Sequence, residues 1–183
     1  TSPPSPYWEE AALGYDTYSL LKTGKDHRGN PWPVSYLVSF KDYKPPLYVY
    51  ASMPFVAVLG LNQLSVRMAS LLSGIGVLIF TFLITKKLFN KKVALTVLLI
   101  GMINPWNLWF SRIVFEANLS LFLLAACLYF FVLSYKKYVY LLASVLFFVL
   151  SMYAYHSARL IVPLLLIALS VFRIKKIFKN KRL

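Results

Sequence analysis

Apolar residues along this chain come in long runs, broken at regular intervals by short charged clusters. Residues 64–85 form the first run long enough to cross a bilayer, and it ends in the basic segment KKLFNKK. Residues 93–110 run back with Pro105 near the far end, 115–135 cross again and stop at Lys136-Lys137, and 138–155 return. Residues 158–172 are the shortest run and become a full span if Arg159 snorkels or the helix extends into the basic tail. A hydrocarbon core of about 30 Å takes roughly 20 helical residues, so four or five spans are expected. Residues 47–59 are apolar but shorter and interrupted by Pro54, which suits an interfacial or re-entrant piece.

Ahead of these runs lies the one long polar stretch, residues 8–48. Residues 9–22 predict a short helix with Glu9 and Glu10 in its first turn, Lys22 in its last, and Gly24 as a stop. Leu13, Leu20 and Leu21 give it a narrow apolar side, so it is expected to lie along the membrane surface. Residues 24–43 read as loop, and Pro45-Pro46 suit a helix start. The chain divides at residue 63: residues 1–63 are expected to be an extracytoplasmic catalytic loop with juxtamembrane helices, and 64–183 a transmembrane region. The fold class expected is an all-α membrane protein, a polytopic helical bundle.

Composition agrees. The chain is 59% hydrophobic, against about 45–50% for soluble domains, and its mean hydropathy is +0.64. The formal charge of +14 would suggest nucleic acid in a soluble protein. Here twelve of twenty basic residues sit in three clusters beside apolar runs: Lys86, Lys87, Lys91 and Lys92; Lys136 and Lys137; and Arg173, Lys175, Lys176, Lys179, Lys181 and Arg182. That is positive-inside patterning, and nucleic acid is not an expected partner. With the clusters taken as cytoplasmic, all six acids fall on the opposite side: Glu9, Glu10, Asp16, Asp26, Asp42 and Glu116. Lys44, Arg67, Arg112, His156 and Arg159 join them. Polar groups from four separate segments therefore converge on one face.

The lone Cys127 excludes a disulfide framework, and no His/Cys/Asp cluster has metal-ligand spacing, so neither metal nor cofactor is expected. A Gly-rich phosphate loop and a Gly-x-Ser-x-Gly elbow are also absent. Glu9 and Glu10 read either as helix-dipole acids or as a general base, and they point about 100° apart, so one role does not fit both. Lys44, beside a stiff Pro-Pro turn, could meet a lipid phosphate. Arg67 lies about one turn inside an apolar helix, where a charge faces a cavity or partner unless it snorkels outward. Arg112, Arg159 and His156 sit at span ends on the same face.

The stretches WEEAALGYDTYSLLKTGKD, FKDYKPPLYVY and GLNQLSVRMAS, followed by NPWNLWFSRIVFEANL and YAYHSARLIVPL, resemble membrane glycosyltransferases of the GT-C fold. The group is the dolichyl-phosphate-mannose protein mannosyltransferases and aminoarabinose transferases. The resemblance implies that Glu9-Glu10 stands where that group has an Asp-Glu pair. It implies catalytic roles for Glu9 and Glu10, and donor-phosphate contacts for Lys44 and Arg67, with Arg112, His156 and Arg159 as further substrate-binding residues. The implied reaction is inverting sugar transfer from a polyprenyl-phosphate donor to an extracytoplasmic protein, lipid or glycan acceptor. A prokaryotic plasma membrane is the implied location, and further spans before and after this stretch are expected. A transporter or flippase subunit is the rival reading, but it would place ionisable groups near the bilayer midplane.

Overall fold

The computed structural model describes the backbone of residues 7–180, and side chains through residue 169 and at Val171. Helix α1 (Trp8–Thr23) carries the polar stretch, followed by a hairpin of β1 (Leu37–Ser39) and β2 (Asp42–Lys44). Then come α2 (Leu47–Leu59), α3 (Gln63–Leu88), α4 (Lys91–Ile103), α5 (Pro105–Arg112), α6 (Glu116–Leu133), α7 (Val139–Ala154) and α8 (Ala158–Asn180).

α1 matches its expected span to within a residue at each end and closes at Gly24, whose φ of 69° is left-handed. It does not merely rest on a surface: Leu13 and Leu20 are buried in a core with Leu37, Tyr48, Val49, Val56 and Val66. Tyr48 is fully buried because its hydroxyl is satisfied, donating to the Val66 carbonyl (3.0 Å) and sharing a hydrogen bond with Ser70 Oγ (2.9 Å). The stretch after α1, expected as loop, carries more local structure than the sequence suggested. Asp26 folds residues 26–30 around itself, accepting from the Arg28 and Asn30 amides at 2.9 and 2.8 Å and from Asn30 Nδ2 at 2.9 Å. His27 reaches back to α1, its amide and Nδ1 lying 2.9 and 2.7 Å from Oδ1 of the buried Asp16. The end of the stretch read from sequence as loop, 24–43, forms an antiparallel pair with Leu37 opposite Lys44.

Fewer helices among the described residues have the length and hydropathy of a span than the pattern suggested. Among the described residues two helices, α3 and α6, are long and apolar enough to cross a membrane, and α4 with α5 makes a third if that pair is one broken span. The expected continuous run 93–110 bends by 56° between α4 and α5. Asn104 ends α4 and caps α5, its Oδ1 accepting from the Trp106 amide at 2.9 Å, and Pro105 occupies the first helical position. α7 has 16 residues, about 24 Å at 1.5 Å per residue, so it falls short of a full crossing by length. The apolar part of α8 is also short, 158–169 among the described residues. The basic tail expected to complete that span, 173–182, lies outside the described side chains. α2 continues through Pro54 and ends at Gly60. Asn62 then starts α3, accepting from the Ser65 amide at 2.9 Å while Ser65 Oγ accepts from the Asn62 amide at 3.2 Å.

Small residues bring the helices together. On α3 the buried positions include Ala69, Ser70, Ser73, Gly74 and Gly76. A Cβ at Gly74 would meet Ser111 Oγ at 1.8 Å, and one at Gly76 would meet the Phe122 ring at 2.3 Å. α6 and α7 are joined by reciprocal serines. Ser120 Oγ donates to the Ser151 carbonyl at 3.0 Å, Ser151 Oγ to the Ser120 carbonyl at 3.1 Å, and Ser144 Oγ to the Cys127 carbonyl at 2.9 Å. The outward faces of α3 and α4 expose Leu71, Leu72, Ile75, Ile79, Leu95 and Leu99, as contact with lipid tails requires. Lys87 and Lys136 lie side by side at one end of the bundle, and the polar convergence described next lies at the other.

Candidate functional site

Two ion-pair nodes arise from adjacent residues of α1. Glu10 points inward and is 3% exposed. Its Oε1 accepts from Arg67 Nε (2.8 Å) and the Val114 amide (2.8 Å), and its Oε2 from Arg67 Nη2 (2.7 Å) and the Tyr7 amide (3.3 Å). Four donors fill the carboxylate's acceptor capacity, so Glu10 is tied into the fold rather than open to a substrate. The forked guanidinium of Arg67 is drawn into this node, one turn into α3. The sequence expectation was that Arg67 meets a donor phosphate; in this structure its Nε and Nη2 are bonded to the Glu10 carboxylate.

Glu9, one residue earlier and about 100° round the helix, faces the other way. Its Oε1 lies 2.7 Å from Lys44 Nζ, and its side chain keeps 26% exposure. Lys44 is 7% exposed, held there by the end of β2 and by Pro45-Pro46, and its Nζ is 3.9 Å from Glu116 Oε1. These groups border a cavity of about 190 Å³ lined by Glu9, Asp42, Lys44, Pro45, Phe115, Glu116, Tyr155 and His156. His156 Nε2 is hydrogen-bonded to the Tyr43 carbonyl, so the turn between α7 and α8 is tied to the hairpin. A carbonyl only accepts, so Nε2 is the donor in this contact.

The structure thus brings together Glu9, Lys44 and His156 from three distant stretches and separates Glu10 and Arg67 from them. Arg112 is exposed in the last turn of α5. Arg159 is exposed at the start of α8, its Nε 3.5 Å from the Met152 carbonyl. Three residues at the site had no role assigned from sequence. Glu116 and Asp42 were counted among the acids of this face without a function, and Tyr7 was not singled out. Glu116 had one available signal: it is the sole acid outside residues 8–48, set at the very start of an apolar helix. Tyr7 Oη donates to the Val114 carbonyl at 2.7 Å and lies 3.3 Å from Glu9 Oε2. Burial, with Glu9, Glu116 and Glu10 close by, pushes its phenol well above the usual range, so it stays protonated.

A buried cation beside a partly exposed carboxylate, at the wall of a cavity sized for a small polar group, can hold an anionic leaving group and accept a proton from a nucleophile. Among the described residues no group of three or more His, Cys, Asp or Glu side chains is arranged to hold a metal ion.

A family model described as dolichyl-phosphate-mannose-protein mannosyltransferase matches residues 43–182. The match takes in Lys44, Arg67, Arg112, Glu116, His156 and Arg159, and begins after Glu9 and Glu10. No curated protein and no solved structure matches the chain.

Proposed function

The chain belongs to the dolichyl-phosphate-mannose-protein mannosyltransferase family, and from that premise we propose that it moves a sugar from a polyprenyl-phosphate carrier to an extracytoplasmic acceptor with Glu9 as general base. Membership in the family makes the protein an integral-membrane glycosyltransferase of the mannosyltransferase type. The observation that carries the finer reading is the Glu9–Lys44 pair, 2.7 Å apart at the edge of the cavity.

Lys44 can exchange partners. When the donor's phosphate enters, its oxygens compete with Glu9 for the ammonium, and the displaced carboxylate becomes available to the acceptor. Glu9 then removes the proton from the acceptor hydroxyl or amine as that atom attacks the anomeric carbon. The bond from that carbon to the phosphate oxygen breaks, and polyprenyl phosphate leaves with its new charge held by Lys44. Attack from the face opposite the phosphate inverts the anomeric centre. Arg112, Arg159 and His156 are proposed to meet the remaining phosphate oxygens and the headgroup region at the rim. Arg67 is assigned to holding Glu10, and with it the pitch of α1. The acceptor is a protein, lipid or glycan; membrane lipids flank the bundle. Residues 1–63 are proposed to lie outside a prokaryotic plasma membrane, and the basic clusters flanking the apolar runs support that sidedness.

Glu9→Gln preserves shape and cannot take a proton at neutral pH. In the full-length enzyme, turnover of a polyprenyl-phosphate sugar should fall by about 10²–10⁴ with donor binding nearly unchanged. Turnover near the unmodified level would remove Glu9 from the chemistry. A cysteine placed at Asn90 that reacts with an impermeant reagent on intact cells would reverse the sidedness.

A further inference from the structure

We propose that the end of the bundle opposite the Glu9–Lys44 cavity binds one anionic phospholipid, its headgroup phosphate bridging Lys87 and Lys136 and one acyl chain lying in the groove between α3 and α6. The site is separate from the sugar-transfer chemistry and does not depend on the role given to Glu9.

The two lysines come from separate stretches, Lys87 from the last turn of α3 and Lys136 from the turn after α6, yet their side chains lie within hydrogen-bonding reach of each other. Two ammonium groups that close repel, and each offers only donors, so the contact calls for an anion between them. The chain has no side chain to supply it. Every Asp and Glu lies in residues 9–42 or at position 116. Glu116 stands at the opposite end of α6, about 25 Å away along the helix axis. Lys86, Lys91, Lys92 and Lys137, all exposed, only add to the positive field.

The neighbouring surface tells what carries the anion. Thr81, Ile84 and Thr85 of α3 and Leu121, Leu124 and Leu128 of α6 line a largely apolar groove of about 270 Å³. A second cavity of about 400 Å³ shares Val77, Thr81 and Leu121 with it and carries it on towards Asn104, between α3, α4 and α6. Lys87 follows Ile84 by three positions, so it stands one turn beyond the groove on a neighbouring strip of α3. Leu88 and Phe89, 58% and 70% exposed, separate the lysines of α3 from those of α4. Apolar side chains set among lysines at the end of a lipid-facing helix fit a bilayer boundary. An anionic phospholipid answers both features at once: its phosphate compensates the lysine pair, and its chain fills the groove. A free phosphate would leave the groove empty, and a zwitterionic lipid would bring a further cation to the lysines.

The test is native mass spectrometry of the full-length protein, delipidated in detergent and titrated with dioleoylphosphatidylglycerol or dioleoylphosphatidylcholine. One phosphatidylglycerol should be retained more tightly than phosphatidylcholine. Lys87→Gln combined with Lys136→Gln should weaken it by about tenfold to thirtyfold, the effect of two lysines at a lipid surface. Lys91→Gln combined with Lys92→Gln removes the same charge from the same end and should leave the affinity within about threefold. Lys87→Arg with Lys136→Arg keeps the charge and should keep the lipid. An unmoved affinity in the Lys87 and Lys136 double variant overturns the site, and so do equal losses in the two Gln pairs, which would reduce it to general positive charge. Glycerophosphoglycerol, the headgroup without chains, should displace the bound lipid only weakly. Displacement at concentrations matching those of the lipid would overturn the role of the groove and leave an anion contact only.

Discussion

Arg67 Nε and Nη2 lie 2.8 and 2.7 Å from the two carboxylate oxygens of Glu10, joining α3 to α1 across 57 positions of sequence. Both side chains are largely buried, 11% and 3% exposed, and the Val114 amide completes the shell around the carboxylate. A forked pair of this kind sets the rotation of α1, and that rotation decides that Glu9 faces the cavity.

Arg67→Ala should therefore act first on folding. Removing one partner of a buried pair leaves the other charge uncompensated, at a cost of about 3–5 kcal/mol. The expected result is a large fall in the unfolding midpoint of the purified protein in detergent. The double variant Arg67→Met with Glu10→Leu should recover much of it. A single variant that keeps its midpoint but loses donor binding would return Arg67 to the phosphate.

Lys44→Met should leave the fold largely in place and weaken the donor. A hydrogen bond to a charged group contributes about 1.5–3 kcal/mol, so apparent donor affinity should drop about tenfold to a hundredfold. Titration of polyprenyl phosphate against protein fluorescence would measure it. Lys44→Arg should recover only part, because a planar fork does not reproduce a point charge in a slot shaped by Pro45.

Gly74→Ala should destabilise the bundle by about 1–3 kcal/mol, since the added methyl would lie 1.8 Å from Ser111 Oγ and 2.9 Å from its Cβ. Adding Ser111→Gly removes both obstructing atoms and should return most of the loss. Thermal unfolding of the single and double variants distinguishes a local clash from a general helix effect.

Asp26 carries a pH-dependent contribution of known sign. Burial alone would raise its carboxyl, but hydrogen bonds from the Asn30 side chain and amide and the Arg28 amide outweigh it and hold it below 3.8. Its contribution is complete above the unfolded value and is lost as pH falls through the lower folded one. Protection from hydrogen exchange over residues 24–31, taken relative to the unstructured chain at the same pH, should fall below about pH 4, where the unfolded carboxyl begins to bind protons. In Asp26→Asn that acid dependence should vanish.

What could be read from the sequence follows physical range. α1 was legible because acids, a basic last turn and Gly24 mark its ends locally. The convergence of polar groups was legible because alternation of runs needs no contact information. The hairpin was not: Phe40 and Lys41 turn it at φ of 52° and 66°, a left-handed conformation normally signalled by Gly or Asn. The break at Asn104 was masked by apolar residues continuing on both sides of it. The partition of Glu9 and Glu10 was half legible, since helix geometry sends them in different directions. Which direction holds Arg67 depends on how α1 packs on α3.

The reciprocal serine bonds between α6 and α7 bear on how the protein is made. At 16 residues, α7 is a poor candidate to enter a bilayer unaided, whereas α6 meets the length and hydropathy of an independent segment. Ser144 and Ser151 on α7 find their acceptors on the helix synthesised just before it, across a turn of five residues, 134–138. Biogenesis is thus expected to deliver the two as a hairpin, with α7 leaving the translocon only once α6 is there to receive its hydroxyls. Replacing α6 by a polyleucine segment should leave α7 stranded outside the membrane, a failure of insertion rather than of catalysis.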